Sequence, residues 1–120
     1  MPAAGDVIRI YDGTVNPPAH KRFVCVYPVD GWMLRINTQP HWTPHFPLLL
    51  SDNPGCLDHD CFLELRGVVE YIQSEIDNGE PLGRLSDQTI AALVAHLPSV
   101  VTIALDQCRI IIAALEAELP

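Results

Sequence analysis

His20-Lys21-Arg22 brings three nitrogen-bearing side chains to the point where a polar loop meets an apolar run. Arg9 lies on an apolar run upstream of that loop. A guanidinium is planar and permanently charged, so it matches the oxygens of a phosphate. Further along, Asp58-His59-Asp60 sets an imidazole, which titrates near neutrality, between two carboxylates. Thr38 offers a hydroxyl at another loop–strand junction, where sheets display sites. Trp42 stands in a proline-rich stretch with Phe46, and exposed aromatics of this kind stack on bases. Each residue also has a plain structural reading. Arg22 is then a solvated edge cation, Thr38 a turn cap, His59 a hydrogen-bonded histidine, and Trp42 an aromatic packed on its own domain.

His41 and His45, with Asp58, His59 and Asp60, are all metal-ligand types. The intervening prolines deny His-x-x-x-His the helix on which that spacing works best, so neither metal nor cofactor is expected. Cys25, Cys56, Cys61 and Cys108 match no zinc spacing and are expected to be free, buried thiols.

Short strands followed by helices must position these groups. Gly5–Tyr11 reads as a strand with Val7, Arg9 and Tyr11 on one face and Ile8 and Ile10 on the other. Phe23–Val29 and Trp32–Asn37 flank Asp30-Gly31, a pair favoured in two-residue type I′ turns, and read as an antiparallel hairpin. Pro28 lacks a donor, which predicts an edge or a bulge there. Prolines 40, 44 and 47 make 38–47 a surface loop. Leu48–Leu50 and Asp58–Leu65 read as strands. Val68, Ile72 and Ile76 have helical spacing, with a strand through 68–72 as the alternative. Ser86 caps a helix, Pro98 breaks it, and a second helix runs from there to about Leu119. Its apolar stripe, with Val101, Leu105, Cys108, Ile111 and Leu115, is widened by Val100, Ile103 and Ile110 beyond what one packed face needs, which fits burial in a homodimer or partner complex or a well-covered helix in the monomer.

The 120 residues make one domain, 1–67 mostly β and 68–120 mostly helical. The fold class is α+β, a small bent barrel followed by C-terminal helices. Net charge is −8, unevenly placed: +1 over residues 1–45 and −9 over 46–120. Such a chain is a poor non-specific nucleic-acid binder, so any RNA contact falls to the N-terminal face. No apolar run approaches a membrane span, and no basic-then-apolar leader opens the chain. The expected location is the cytoplasm, away from membranes.

Three stretches resemble the PemK/MazF family of prokaryotic toxin endoribonucleases. Gly5-Asp6-Val7-Ile8 looks like that family's opening strand. Lys21-Arg22-Phe23-Val24-Cys25-Val26 is similar to its basic residue and apolar strand, with the usual proline replaced, and Ile36-Asn37-Thr38 loosely resembles its strand bearing a hydroxyl. Leu82-Gly83-Arg84-Leu85-Ser86-Asp87 resembles its C-terminal signature. The resemblance implies an SH3-like barrel, often dimeric. It also implies metal-free cleavage of single-stranded RNA and neutralisation by a cognate antitoxin. On that reading Arg22, with Lys21, stabilises phosphate charge, and Thr38 positions the phosphate. His59 or Asp60 serves as base or acid, while Arg9, His20, Lys21 and Trp42 hold RNA. The second reading is a catalytically silent SH3-like module that uses the same groove for a protein partner. No arginine follows Asp60 before Arg66, where the family usually has one, and that favours the second reading.

Overall fold

A computed structural model describes residues 2–40 and 43–120. Its strands are β1 (Asp6–Asp12), β2 (Ala19–Tyr27), β3 (Trp32–Asn37), β4 (His45–Leu48), β5 (Cys61–Glu64), β6 (Val69–Glu70) and β7 (Glu80–Arg84). Its helices are α1 (Gln73–Asp77), α2 (Asp87–His96) and α3 (Leu105–Glu116). The strands form one antiparallel sheet in the order β4-β5-β3-β2-β1-β7, with β6 pairing β3 off this path. The fold is α+β, as expected, but the sheet is not closed. Its edges β4 and β7 do not pair, so the expected barrel is corrected to an open, bent sheet.

Alternation along β1 and β2 gives the sheet two apolar faces. Val7, Val24, Val26, Leu34 and Leu63 join Ile90, Leu93, Ile111 and Leu115 of α2 and α3 in the larger core. Ile8, Ile10, Phe23, Cys25 and Met33 meet Tyr71 and Ile76 in a smaller one. Each large side chain so buried contributes roughly 1.5–3 kcal/mol.

The hairpin forms, with a different turn. Pro28 opens a 3-10 turn over Pro28–Asp30, and only Gly31 takes a left-handed backbone, at φ 68°. A two-residue turn would need the strand to run on to Val29, whereas Pro28 ends it at Tyr27. The register shifts between Cys25 and Tyr27, just before Pro28, and Pro28 itself lies outside β2 rather than at an edge or bulge of it. A side chain at Gly31 would also run into the Tyr71 carbonyl oxygen, so the turn before β3 packs directly on the 69–72 segment.

Four other expectations change. Residues 45–48 form β4 rather than loop, and Pro47 is tolerated because β4 is an edge. The 68–76 stretch is part strand and part helix, β6 and then the short α1. Residues 80–84 form the strand β7, which returns from the C-terminal half to pair β1. Finally, the last helix starts at Leu105, after a 3-10 turn (Leu97–Ser99) and a bent, non-helical link. The Thr102 hydroxyl donates to the Leu65 carbonyl at 2.5 Å and ties that link to the end of β5. Val100 and Ile103 are therefore buried, whereas Val101 is 92% exposed. The Ser86 cap forms as expected, accepting from the Thr89 amide at 3.1 Å.

Candidate functional site

The sheet end where β1, β2 and β3 meet the 53–60 loop holds a groove of about 920 Å³. Arg9 and Arg22 are cross-strand partners in β1 and β2, so they share a face, and both line it. His20 and Lys21 line it from the start of β2, Thr38 from beyond β3, and Asp58 and His59 from the loop before β5. Six of the eight anticipated residues thus converge: Arg9, His20, Lys21, Arg22, Thr38 and His59. Trp42 lies outside the described residues, as does His41. Asp60 is not on the groove. Its carboxylate accepts the Leu50 amide at 2.8 Å, fastening a 3-10 turn (Leu50–Asp52) to the start of β5. Asp60 therefore stands apart from the groove that the other anticipated residues share, whereas its neighbour Asp58 lines it.

Asp58, His59 and Arg22 form one hydrogen-bonded set. Arg22 Nη2 lies 3.1 Å from His59 Nε2, and Nη1 donates to Asp58 Oδ1 at 3.2 Å. His59 Nδ1 meets the same Asp58 oxygen at 2.5 Å. A guanidinium only donates, so Nε2 accepts and the proton sits on Nδ1, pointing at Asp58. This is the tautomer in which Nε2 has a lone pair to offer a substrate proton, with a carboxylate behind to steady the ring. The His59 hydrogen bond, then the Arg22 charge, hold the Asp58 carboxyl below its usual range despite slight desolvation.

The loop is anchored by Asn53, 2% exposed. Its Nδ2 donates to the Leu49 carbonyl and to Thr89 Oγ1, both at 3.0 Å, and its Oδ1 accepts the Ser86 amide at 2.8 Å. The loop is thereby bound to the capped end of α2. Asn53 reads in the sequence as one more turn residue, since its partners are 33 and 36 positions away. Cys56 also lines the groove. Burial pushes its thiol up, against the pull of Arg22, so it is a poor nucleophile at neutral pH. All four cysteines are free and buried.

Arg9 pairs loosely with Glu80, at 3.8 Å and with both groups exposed, so the pair weakly offsets its charge. Asp58 is the one carboxylate among the described groove-lining residues, against Arg9, Lys21 and Arg22. The groove is locally cationic in a chain of net charge −8. It brings cations, a hydroxyl and an oriented imidazole together along one open groove. No protein-family model matches this chain, and no curated protein matches it.

Proposed function

We propose that this protein is an endoribonuclease of the PemK/MazF toxin type, built on an SH3-like sheet, that cleaves single-stranded RNA in this groove. The observation that carries the reading is the gathering of Arg9, Lys21, Arg22, Thr38 and His59 on one channel of an otherwise acidic molecule. A phosphate entering beside Arg22 competes for its guanidinium and draws it off His59 Nε2. The freed Nε2 then takes the proton of the ribose 2′-hydroxyl. The 2′-oxygen forms a bond to phosphorus while the bond from phosphorus to the 5′-oxygen breaks, leaving a 2′,3′-cyclic phosphate. Asp58 stabilises the imidazolium, Arg22 and Lys21 the charge on the phosphorane, and Thr38 orients a phosphate oxygen. His20, on the same groove, is the candidate donor to the leaving 5′-oxygen. A cytoplasmic target and a cognate antitoxin that occludes the groove belong to this reading.

The second reading is a silent interaction module. It is favoured by the mutual satisfaction of Arg22, Asp58 and His59 and by the structural use of Asp60. Purified protein and a fluorogenic single-stranded RNA decide between them. The expected result is cleavage that falls at least about 100-fold in Arg22→Ala and in His59→Ala. Cleavage unchanged in Arg22→Ala refutes the assignment of Arg22. Folded parent protein that leaves RNA intact establishes the silent module.

A further inference from the structure

A second cleft of about 560 Å³ adjoins the groove. Lys21 and Asn37 line both, so the two meet across these side chains. Beyond them the second cleft is walled by Arg35 from β3, Glu64 from β5, Arg66 from the turn after it, and Thr14 from the β1–β2 loop. We infer that this cleft is a subsite for the next nucleotide of a single-stranded polynucleotide whose neighbouring phosphate lies in the main groove. The inference rests on the RNA reading above and extends it.

Charge is the first support. Among the described residues, three cations, Lys21, Arg35 and Arg66, line the cleft against one carboxylate, Glu64. Arg35 is fixed by Asp12 at 2.8 Å and by Glu64 at 3.6 Å, and its buried Nε has no hydrogen-bond partner among the described residues. Asp12 is 1% exposed, and two hydrogen bonds from Thr14 also hold it. The wall is therefore set before any ligand arrives, and a site ordered in advance loses less entropy on binding.

Chemistry that can address a base is the second support. Asn37 Nδ2 donates to Glu64 Oε1 at 3.3 Å, which places an amide and a carboxylate side by side on the cleft wall. Together they offer both a donor and an acceptor, as recognition of an unpaired base edge requires. Lys21 at the junction is in place for the phosphate that links the two nucleotides, with Arg66 beyond it for the next. A basic residue that serves both clefts is what a continuous polyanion uses, because successive phosphates must each be met as the strand passes.

The test uses the full chain and 3′-fluorescein-labelled 2′-O-methyl RNA of randomised sequence, two or six residues long, read by fluorescence anisotropy. The methyl group blocks cleavage, so binding alone is measured. The expected result is tighter binding of the six-residue strand. Arg66→Ala should weaken it about three- to tenfold while leaving the two-residue strand unchanged. The salt dependence of the longer strand should lose about 0.7 of a unit in log–log slope, one single-strand phosphate's share. Arg109→Ala, an exposed charge on α3, controls for overall charge and should change neither. Circular dichroism of Arg66→Ala verifies folding, and Arg66→Lys should restore most of the affinity. Unchanged binding of the six-residue strand in Arg66→Ala, or equal loss for both lengths, overturns the second subsite and leaves the groove reading standing. Failure of both strands to bind the parent overturns the RNA reading and the subsite with it.

Discussion

Asn53→Ala tests whether one buried amide holds the loop that presents Asp58 and His59. The substitution removes hydrogen bonds to Leu49, Thr89 and Ser86 at 3.0, 3.0 and 2.8 Å. Thr89 Oγ1 keeps its contact with Ser86 Oγ at 3.0 Å, so it is not stranded. The Leu49 carbonyl likewise keeps the Asp52 amide at 3.2 Å, whereas the Ser86 amide loses its side-chain partner at a partly buried site. At roughly 0.5–1.5 kcal/mol for each bond, the expected loss is about 2–4 kcal/mol. That is a large share of the roughly 5–15 kcal/mol that holds a domain of this kind together. At about 3–5 °C per kcal/mol for this chain length, the melting temperature should fall by about 6–20 °C. Urea unfolding followed by circular dichroism should show a lower midpoint with an unchanged slope, because the surface exposed on unfolding is the same. Gln88→Ala, at an exposed position of α2, is the matched control and should stay within about 0.5 kcal/mol of the parent. An Asn53→Ala protein melting with the parent would refute the idea that this residue anchors the loop.

Two further outcomes follow from buried ionisable groups. Burial alone would raise the Asp12 carboxyl, but hydrogen bonds from Thr14 and Arg35 and the Arg35 charge outweigh it and lower its pKa. Stability from Asp12 is therefore present above the ordinary value of 3.8 and is lost as pH falls below it towards the folded value. Urea midpoints between about pH 2.5 and 6 should show this acid limb flattened in Asp12→Asn, and an identical limb in both proteins sinks the argument. At the alkaline end, burial pushes the Cys25 thiol and the Tyr71 hydroxyl each up to about 12, from 9.0 and 10.0. Their contribution is complete below pH 9 and is lost as pH rises towards 12. Ellman's reagent at pH 8 should accordingly react slowly with the native protein and count four thiols after denaturation; prompt reaction of Cys25 in the native state contradicts this.

The elements legible in the sequence are those whose signal is local. Alternation at Val7–Tyr11 fixes which residues share a face of β1, because side chains on a strand change face at every residue. Ser86 announces the start of α2, because an N-cap is satisfied by an amide three positions on. Where local signals competed, the sequence misled. The apolar run from Val100 to Leu105 looks helical, yet its start is non-helical and tied by the Thr102–Leu65 hydrogen bond. The strand β7 has only Leu82 half-buried amid exposed residues, so no alternation betrays it, and its pairing with β1 lies some 70 positions away.

The site divides in the same way. The residue types themselves determined the chemistry on offer: a guanidinium and an ammonium that suit phosphate, an imidazole that suits proton transfer, and a hydroxyl that can hydrogen-bond a ligand. Which of the two carboxylates beside His59 serves the ring could not be read from Asp58-His59-Asp60, because the stretch is symmetric. Only the tertiary structure decided it, by spending Asp60 on the Leu50 amide and turning Asp58 towards Arg22, 36 positions away. The choice rests on hydrogen bonds between distant segments, and these exist only once the sheet has brought the segments together.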